Sequence, residues 1–86
     1  MSILEEAAAV VADRRPKYKH PAEGYAQLAR LWSVELGIEI DAQQVVRMMI
    51  LLKCSREKLD HQRDNLVDIA GYAQNLQDII DHEEQK

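Results

Sequence analysis

The stretch Val45-Val46-Arg47-Met48-Met49-Ile50-Leu51-Leu52 is apolar on nearly every side when wound as a helix, and it follows Asp41 and Gln44, the two partners of a capping box. Such a helix has little to give to water, so it predicts a central, buried element around which the rest of the chain packs. Its apolar character stops at Lys53, and Ser55, Arg56, Glu57, Lys58 and Asp60 form a polar end, which places the helix at about 42–57. The chain has 86 residues, room for one domain spanning 1–86 and none for a second core. Ala, Leu, Ile and Val are plentiful, aromatic residues make up 5% with no Phe, and there are only 3 Gly and 2 Pro, a composition that favours helix over strand. The expected class is all-α.

Three more helices follow from spacing. Ile3, Leu4, Ala7, Ala8, Val10 and Val11 recur at helical intervals behind a Ser2/Glu5 capping box, predicting a helix over 3–14. Both prolines fall in Arg14-Arg15-Pro16-Lys17-Tyr18-Lys19-His20-Pro21, which therefore reads as a basic connector, with Pro21 opening the next helix. That helix, 21–36, carries Tyr25, Leu28, Ala29, Trp32 and Leu36 on one stripe and ends at Gly37, a left-handed cap. The last, 63–81, lines up Leu66, Ile69, Ala70, Ala73, Leu76 and Ile80. The expected architecture is a compact four-helix arrangement with short connections and antiparallel consecutive neighbours.

Several function classes drop out. A single cysteine, Cys54, makes neither an internal disulfide nor a multi-cysteine zinc site. No apolar run is long enough to span a membrane, and Glu5 and Glu6 stand where a secretion signal carries basic residues, so no membrane role is expected and the cytoplasm is the expected compartment. A net charge of −4 argues against coating nucleic acid.

The residues able to carry chemistry lie mainly in the second half. Asp64, Asn65 and Asp68 sit three and four apart, which puts three oxygen-bearing side chains on one helical edge, a partial site for Mg²⁺. Alternatively, Asp64 serves the helix dipole and Asp68 is solvated surface. Lys53 and Arg56 share a side of the preceding helix end, as a phosphate grip or as complements to the C-terminal dipole. In the connector, Arg14, Arg15, Lys17, Lys19 and His20 surround Tyr18, a combination that can pair phosphate and stack a base. Gly71, beside Tyr72, removes a side chain in mid-helix for close packing or for a ligand. Trp32, Met48 and Met49 read as core, and His20, His61, His82 and Cys54 carry no metal or nucleophile spacing.

Arg15, Tyr18 and His20-Pro21, then Leu31-Trp32-Ser33, Met48-Met49, Leu51-Leu52-Lys53 with Arg56, Asp64-Asn65 and Asp68-Ile69-Ala70-Gly71-Tyr72-Ala73 together resemble a family of small phage and prophage proteins of uncharacterised function. The closing pattern also looks like the end of the MazG-like all-α nucleotide pyrophosphohydrolases. That resemblance implies a MazG-like fold and Mg²⁺-dependent cleavage of a nucleoside triphosphate in the host cytoplasm. Under it, Asp64 and Asp68 are the catalytic residues and hold the metal with Glu35. Lys53, Arg56 and Arg15 bind phosphate, and Tyr18, Asn65 and Tyr72 contact the nucleotide. It also implies a homo-dimer or higher assembly, as does the all-round apolar helix. The acidic cluster such enzymes carry on their first metal helix is broken here, because Ala9 follows Glu5-Glu6 and Asn65 replaces a Glu. The alternative is therefore a non-catalytic phage factor that binds a nucleotide or a host protein, against host defence or as a host inhibitor.

Overall fold

The computed structural model describes the backbone of residues 1–18 and 20–85, and all their side chains except those of residues 16–18. Four helices appear among them: α1 (Ile3–Tyr18), α2 (Pro21–Leu36), α3 (Ala42–Leu59) and α4 (Arg63–Glu84). The all-α, four-helix expectation holds.

Local chemistry sets most of the ends. Ser2 and Glu5 form the first box reciprocally, with the Glu5 N–H donating to Ser2 Oγ at 3.1 Å and the Ser2 N–H to Glu5 Oε1 at 3.2 Å. Asp41 and Gln44 do the same for α3, each bond 2.8 Å. Gly37 closes α2 with φ 71°, a conformation that disfavours a Cβ, and its N–H donates to the Ser33 carbonyl at 2.9 Å. His20 caps α2: the Ala22 N–H donates to its Nδ1 at 3.0 Å, and its ring packs against that of His82 at the far end of α4 with centroids 4.9 Å apart. Neither histidine role was visible in the sequence, since a capping histidine has no distinctive spacing.

The end of α1 differs from expectation. The helix runs through Pro16 to Tyr18 rather than stopping near Arg14. A proline inside a helix removes one N–H, leaving the carbonyl four residues back without its donor. That carbonyl belongs to Ala12, which is exposed, so water can satisfy it. The helix thus loses one bond and continues. α3 and α4 run two and three residues past the expected ends.

α4 is the organising element. α3 lies antiparallel to it, with Gln43 Nε2 donating to Glu83 Oε2 at 2.8 Å near one end and Lys53 paired to Asp68 at 2.8 Å farther along. α1 lies along α4 in the same direction, tied by Arg63 to Glu6 at 2.9 Å and by Arg15 to Asp78 at 2.9 Å. α1 barely touches α2, so this consecutive pair does not form the expected antiparallel neighbours. The reason lies in small side chains. Ala7 is buried, so α1 lies against α4 over an alanine, and a Cβ added at Gly71 would meet only Val11, at 3.7 Å, an ordinary contact. Ala22, Ala42, Val46 and Ile79 form the core, with Tyr25, Ile50, Tyr72 and Leu76 packed against it. α3 meets the all-round burial expected of it on one side only: Val45 and Val46 are fully buried, whereas Met48, Leu51, Leu52 and Leu59 are exposed.

Candidate functional site

An open cleft of about 410 Å³ runs between the helices. α1 gives one wall with Val10, Val11, Arg14 and Arg15, and α2 gives another with Gly24, Tyr25 and Leu28. α4 forms the floor with Val67, Asp68, Gly71, Tyr72 and Asn75, and α3 contributes Lys53. The floor follows from helical spacing: residues 68, 71, 72 and 75 fall on one face of α4. Gly71 there carries no side chain into the space above it.

Three cations and two tyrosines converge on this cleft. Lys53 Nζ sits 2.8 Å from Asp68 Oδ2, and the lysine side chain is only 15% exposed. Arg15 Nη2 reaches Asp78 Oδ2 at 2.9 Å, and the same aspartate accepts from Gln74 Nε2 through its other oxygen. Asn75 Nδ2 donates to the Tyr25 hydroxyl at 3.5 Å. Burial raises the Tyr25 phenol above its usual range, and neighbouring Tyr72 adds to this; the Asn75 bond and the charge of nearby Arg14 act in the opposite direction. The phenol is therefore a neutral donor at physiological pH.

The expected site residues divide. Asp68, Lys53, Arg15 and Tyr72 meet in the cleft. Arg56 and Asp64 are exposed at the turn between α3 and α4 and do not line it. Glu35 is exposed on the last turn of α2, seven residues past Leu28, which is about 10 Å along the axis. Asp64, Asp68 and Glu35 thus do not come together, and among the described residues no three His, Cys, Asp or Glu side chains gather to hold a metal ion. The i, i+4 spacing put both aspartates on one edge, but the cleft covers only the length of that edge occupied by Asp68. The Tyr18 side chain lies outside the described residues.

Asn65 does not reach the cleft either. It is 7% exposed at the α3–α4 corner, where it bonds to the Glu57 carboxylate. Glu57 also accepts from the Gln62 N–H at 2.9 Å and meets His61 Nδ1 at 2.5 Å. The His61 bond is the main influence that lowers the Glu57 pKa, with smaller help from the Gln62 and Asn65 bonds against a desolvation penalty. One carboxylate thus does for this turn what a glycine does elsewhere.

Sequence reasoning missed Tyr25 and Asn75 as cleft residues. Tyr25 sits on an apolar stripe and reads as core, and its hydroxyl was the available signal, since a half-buried phenol requires a partner. A second groove, about 420 Å³ between α1 and α4, is lined half by alanine, and Arg15 is its one charged residue among the described ones.

A family profile described as a domain of unknown function, DUF6378, matches residues 2–80. The chain belongs to this family. Its relatives include the "Gene 55 protein" of Mycobacterium phage D29, 42% identical over 74 residues that cover 84% of this chain and 49% of the relative. The "Gene 55 protein" of Mycobacterium phage L5 is 42% identical over 77 residues, covering 85% of this chain and 49% of that protein. These matches agree with the resemblance to small phage proteins. The chain spans about half the length of the curated relatives it matches. No solved structure matches it. Among the described residues no helix is long and apolar enough to cross a membrane.

Proposed function

We propose that this DUF6378 chain binds a nucleotide in the cleft, with phosphate held by Lys53, Arg14 and Arg15 and the base or sugar lying against Tyr25 and Tyr72. One observation carries the reading: a chain of net charge −4 concentrates three cations and two tyrosines around a single opening. Phosphate calls for charge-assisted donors, and a base calls for an aromatic face. Lys53 holds Asp68 in the structure, and a phosphate, carrying more charge, competes for the same ammonium. Asn75 and the neutral Tyr25 hydroxyl offer the polar contacts through which a base or ribose is distinguished.

The resemblance to MazG-like enzymes extends this reading to hydrolysis with Mg²⁺. The donor set does not fit a divalent ion: Asp68 is engaged by Lys53, while Asp64 and Glu35 stand outside the cleft. Binding without turnover is the function the geometry supports best.

The test is calorimetric titration with ribo- and deoxynucleoside mono-, di- and triphosphates, run beside a pyrophosphate-release assay with Mg²⁺ or Mn²⁺. Saturable binding that weakens in Lys53→Ala and proceeds without release is the expected result. Failure to bind anything in the panel overturns the proposal. Release that disappears in Asp68→Asn establishes the hydrolase instead.

A further inference from the structure

We infer that the cleft takes a ligand with a single phosphate, a nucleoside monophosphate, docked first on Arg14 and the Tyr25 hydroxyl, and that the carboxylates paired to Lys53 and Arg15 turn longer phosphate chains away. The inference rests on the nucleotide reading for the base and on the charge balance of the cleft for the number of phosphates.

Three cations line the cleft, and two of them are already answered. Lys53 is paired to Asp68 and Arg15 to Asp78, which leaves one positive charge uncompensated. That charge belongs to Arg14, whose guanidinium, among the described residues, makes no ion pair and donates to no acceptor. Consecutive helical residues point about 100° apart, so Arg14 and Arg15 do not form one clamp. Arg15 turns to α4 and borders the second groove as well. Arg14 instead lies close enough to Tyr25 on α2 for its charge to act on the phenol.

Tyr25 completes the subsite. Its oxygen accepts from Asn75 Nδ2 at 3.5 Å, and among the described residues its hydroxyl proton has no acceptor. A charged donor and a neutral one, both lacking an acceptor and both bordering the cleft, call for an anion there. A phosphate monoester carries about −1.5 to −2 near pH 7, and one guanidinium with neutral donors beside it suits that charge. One of its oxygens can share Lys53 with Asp68.

A second or third phosphate has only the neutralised pairs left. The Lys53 side chain is 15% exposed, so a phosphate that reaches its ammonium sits against the Asp68 carboxylate too. Beside Arg15 it meets Asp78 in the same way. Each phosphate added beyond the first therefore brings like charges together in a partly covered space, where water screens them poorly.

Calorimetric titration of the whole chain tests this, without divalent cations and at fixed ionic strength. The probes are adenosine, guanosine, cytidine and thymidine, each with its mono-, di- and triphosphates, and ribose phosphate. A monophosphate is expected to bind about tenfold or more tightly than its nucleoside, and affinity to fall from mono- to di- to triphosphate. Arg14→Ala is expected to cost the monophosphate roughly ten- to a hundredfold and to leave nucleoside affinity as it is, with unchanged helical circular dichroism. Asp68→Asn frees the Lys53 charge and is expected to raise triphosphate affinity more than monophosphate affinity. Wild-type affinity that rises with each added phosphate overturns the inference. So does an Arg14→Ala chain that keeps its preference for the monophosphate, or an Asp68→Asn chain in which the triphosphate gains no more than the monophosphate. Ribose phosphate binding as tightly as the nucleotides overturns the nucleotide reading alone and leaves the single-phosphate subsite standing; no binding across the series overturns both.

Discussion

The α3–α4 corner and the cleft one helical turn away both hold carboxylates among polar side chains, and they resolve their charges in opposite ways. At the corner, Glu57 is closed by His61, Gln62 and Asn65, all within nine residues of it, so its oxygens are occupied by its own chain. In the cleft, Lys53 and Arg15 each hold a carboxylate brought from a different helix, and both pairs border an open space. A polar group satisfied locally is structural, whereas one satisfied across helices beside a cavity can be exchanged for a ligand's charge. The acidic edge of α4 spans both regions, with Asn65 serving the first and Asp68 the second.

The contrast breaks most sharply at Lys53. Lys53→Ala is expected to weaken nucleotide binding by about 1.5–3 kcal/mol, roughly ten- to a hundredfold, while thermal unfolding changes little. Asp68→Asn is expected to bind at least as tightly as the wild type, because the ammonium loses its competitor. Calorimetry that shows Asp68→Asn abolishing affinity would reassign that carboxylate to a metal or ligand contact.

The corner should behave the other way round. Asn65→Ala is expected to cost about 1–3 kcal/mol of folding stability by removing a buried partner, with affinity unchanged once folded. Denaturant unfolding beside calorimetry reads both quantities. The lowered Glu57 pKa adds a pH signature with a definite sign: its contribution is present above the ordinary carboxylate value of 4.5 and is lost as pH falls below it. His61→Ala should flatten that acid limb of the stability curve, and Asn65→Ala should reduce it only slightly.

Gly71 sharpens the comparison from the cleft side. An added Cβ meets only Val11, at 3.7 Å, an ordinary contact, so Gly71→Ala is expected to stabilise the helix by about 0.5–1 kcal/mol. If binding falls while the melting temperature rises, the glycine is making room for a ligand.

The smallest effect is spectroscopic. In an ultraviolet pH titration the Tyr25 phenol should ionise above its ordinary 10.0. With its folded pKa raised, its stability contribution is complete below pH 10 and disappears only as pH rises through the shifted value. Nucleotide bound against the ring should delay that ionisation further; an unchanged curve in the presence of ligand would place the base elsewhere.

Helix starts were legible because capping residues announce themselves: Ser2, Asp41 and Pro21 each stand where the sequence put them. The end of α1 was not, since a proline marks a lost hydrogen bond and not whether the exposed Ala12 carbonyl can do without it. The core stripe of α2 was readable by period, but the same period hid the hydroxyl of Tyr25. At the site, spacing on α4 correctly grouped Asp68 with Tyr72, yet could not separate Asp68 from Asp64. That separation depends on where α1 and α2 lie, and no periodicity within α4 reports it. The apolar run of α3 signalled burial without saying which of its faces lies against its own chain.

The way α1 is pinned makes one wall of the cleft sensitive to salt. Among the described residues this helix rests on α4, touches α2 lightly, makes no contact with α3, and is held near its two ends by ion pairs whose arginines are about half solvent-exposed. Such pairs weaken as dissolved ions screen them, while the buried contacts among α2, α3 and α4 do not. One wall of the cleft is thus held in part by charge pairs that salt screens. Added salt should speed amide exchange along α1 and leave the protection of Val45, Val46 and Ile79 in place.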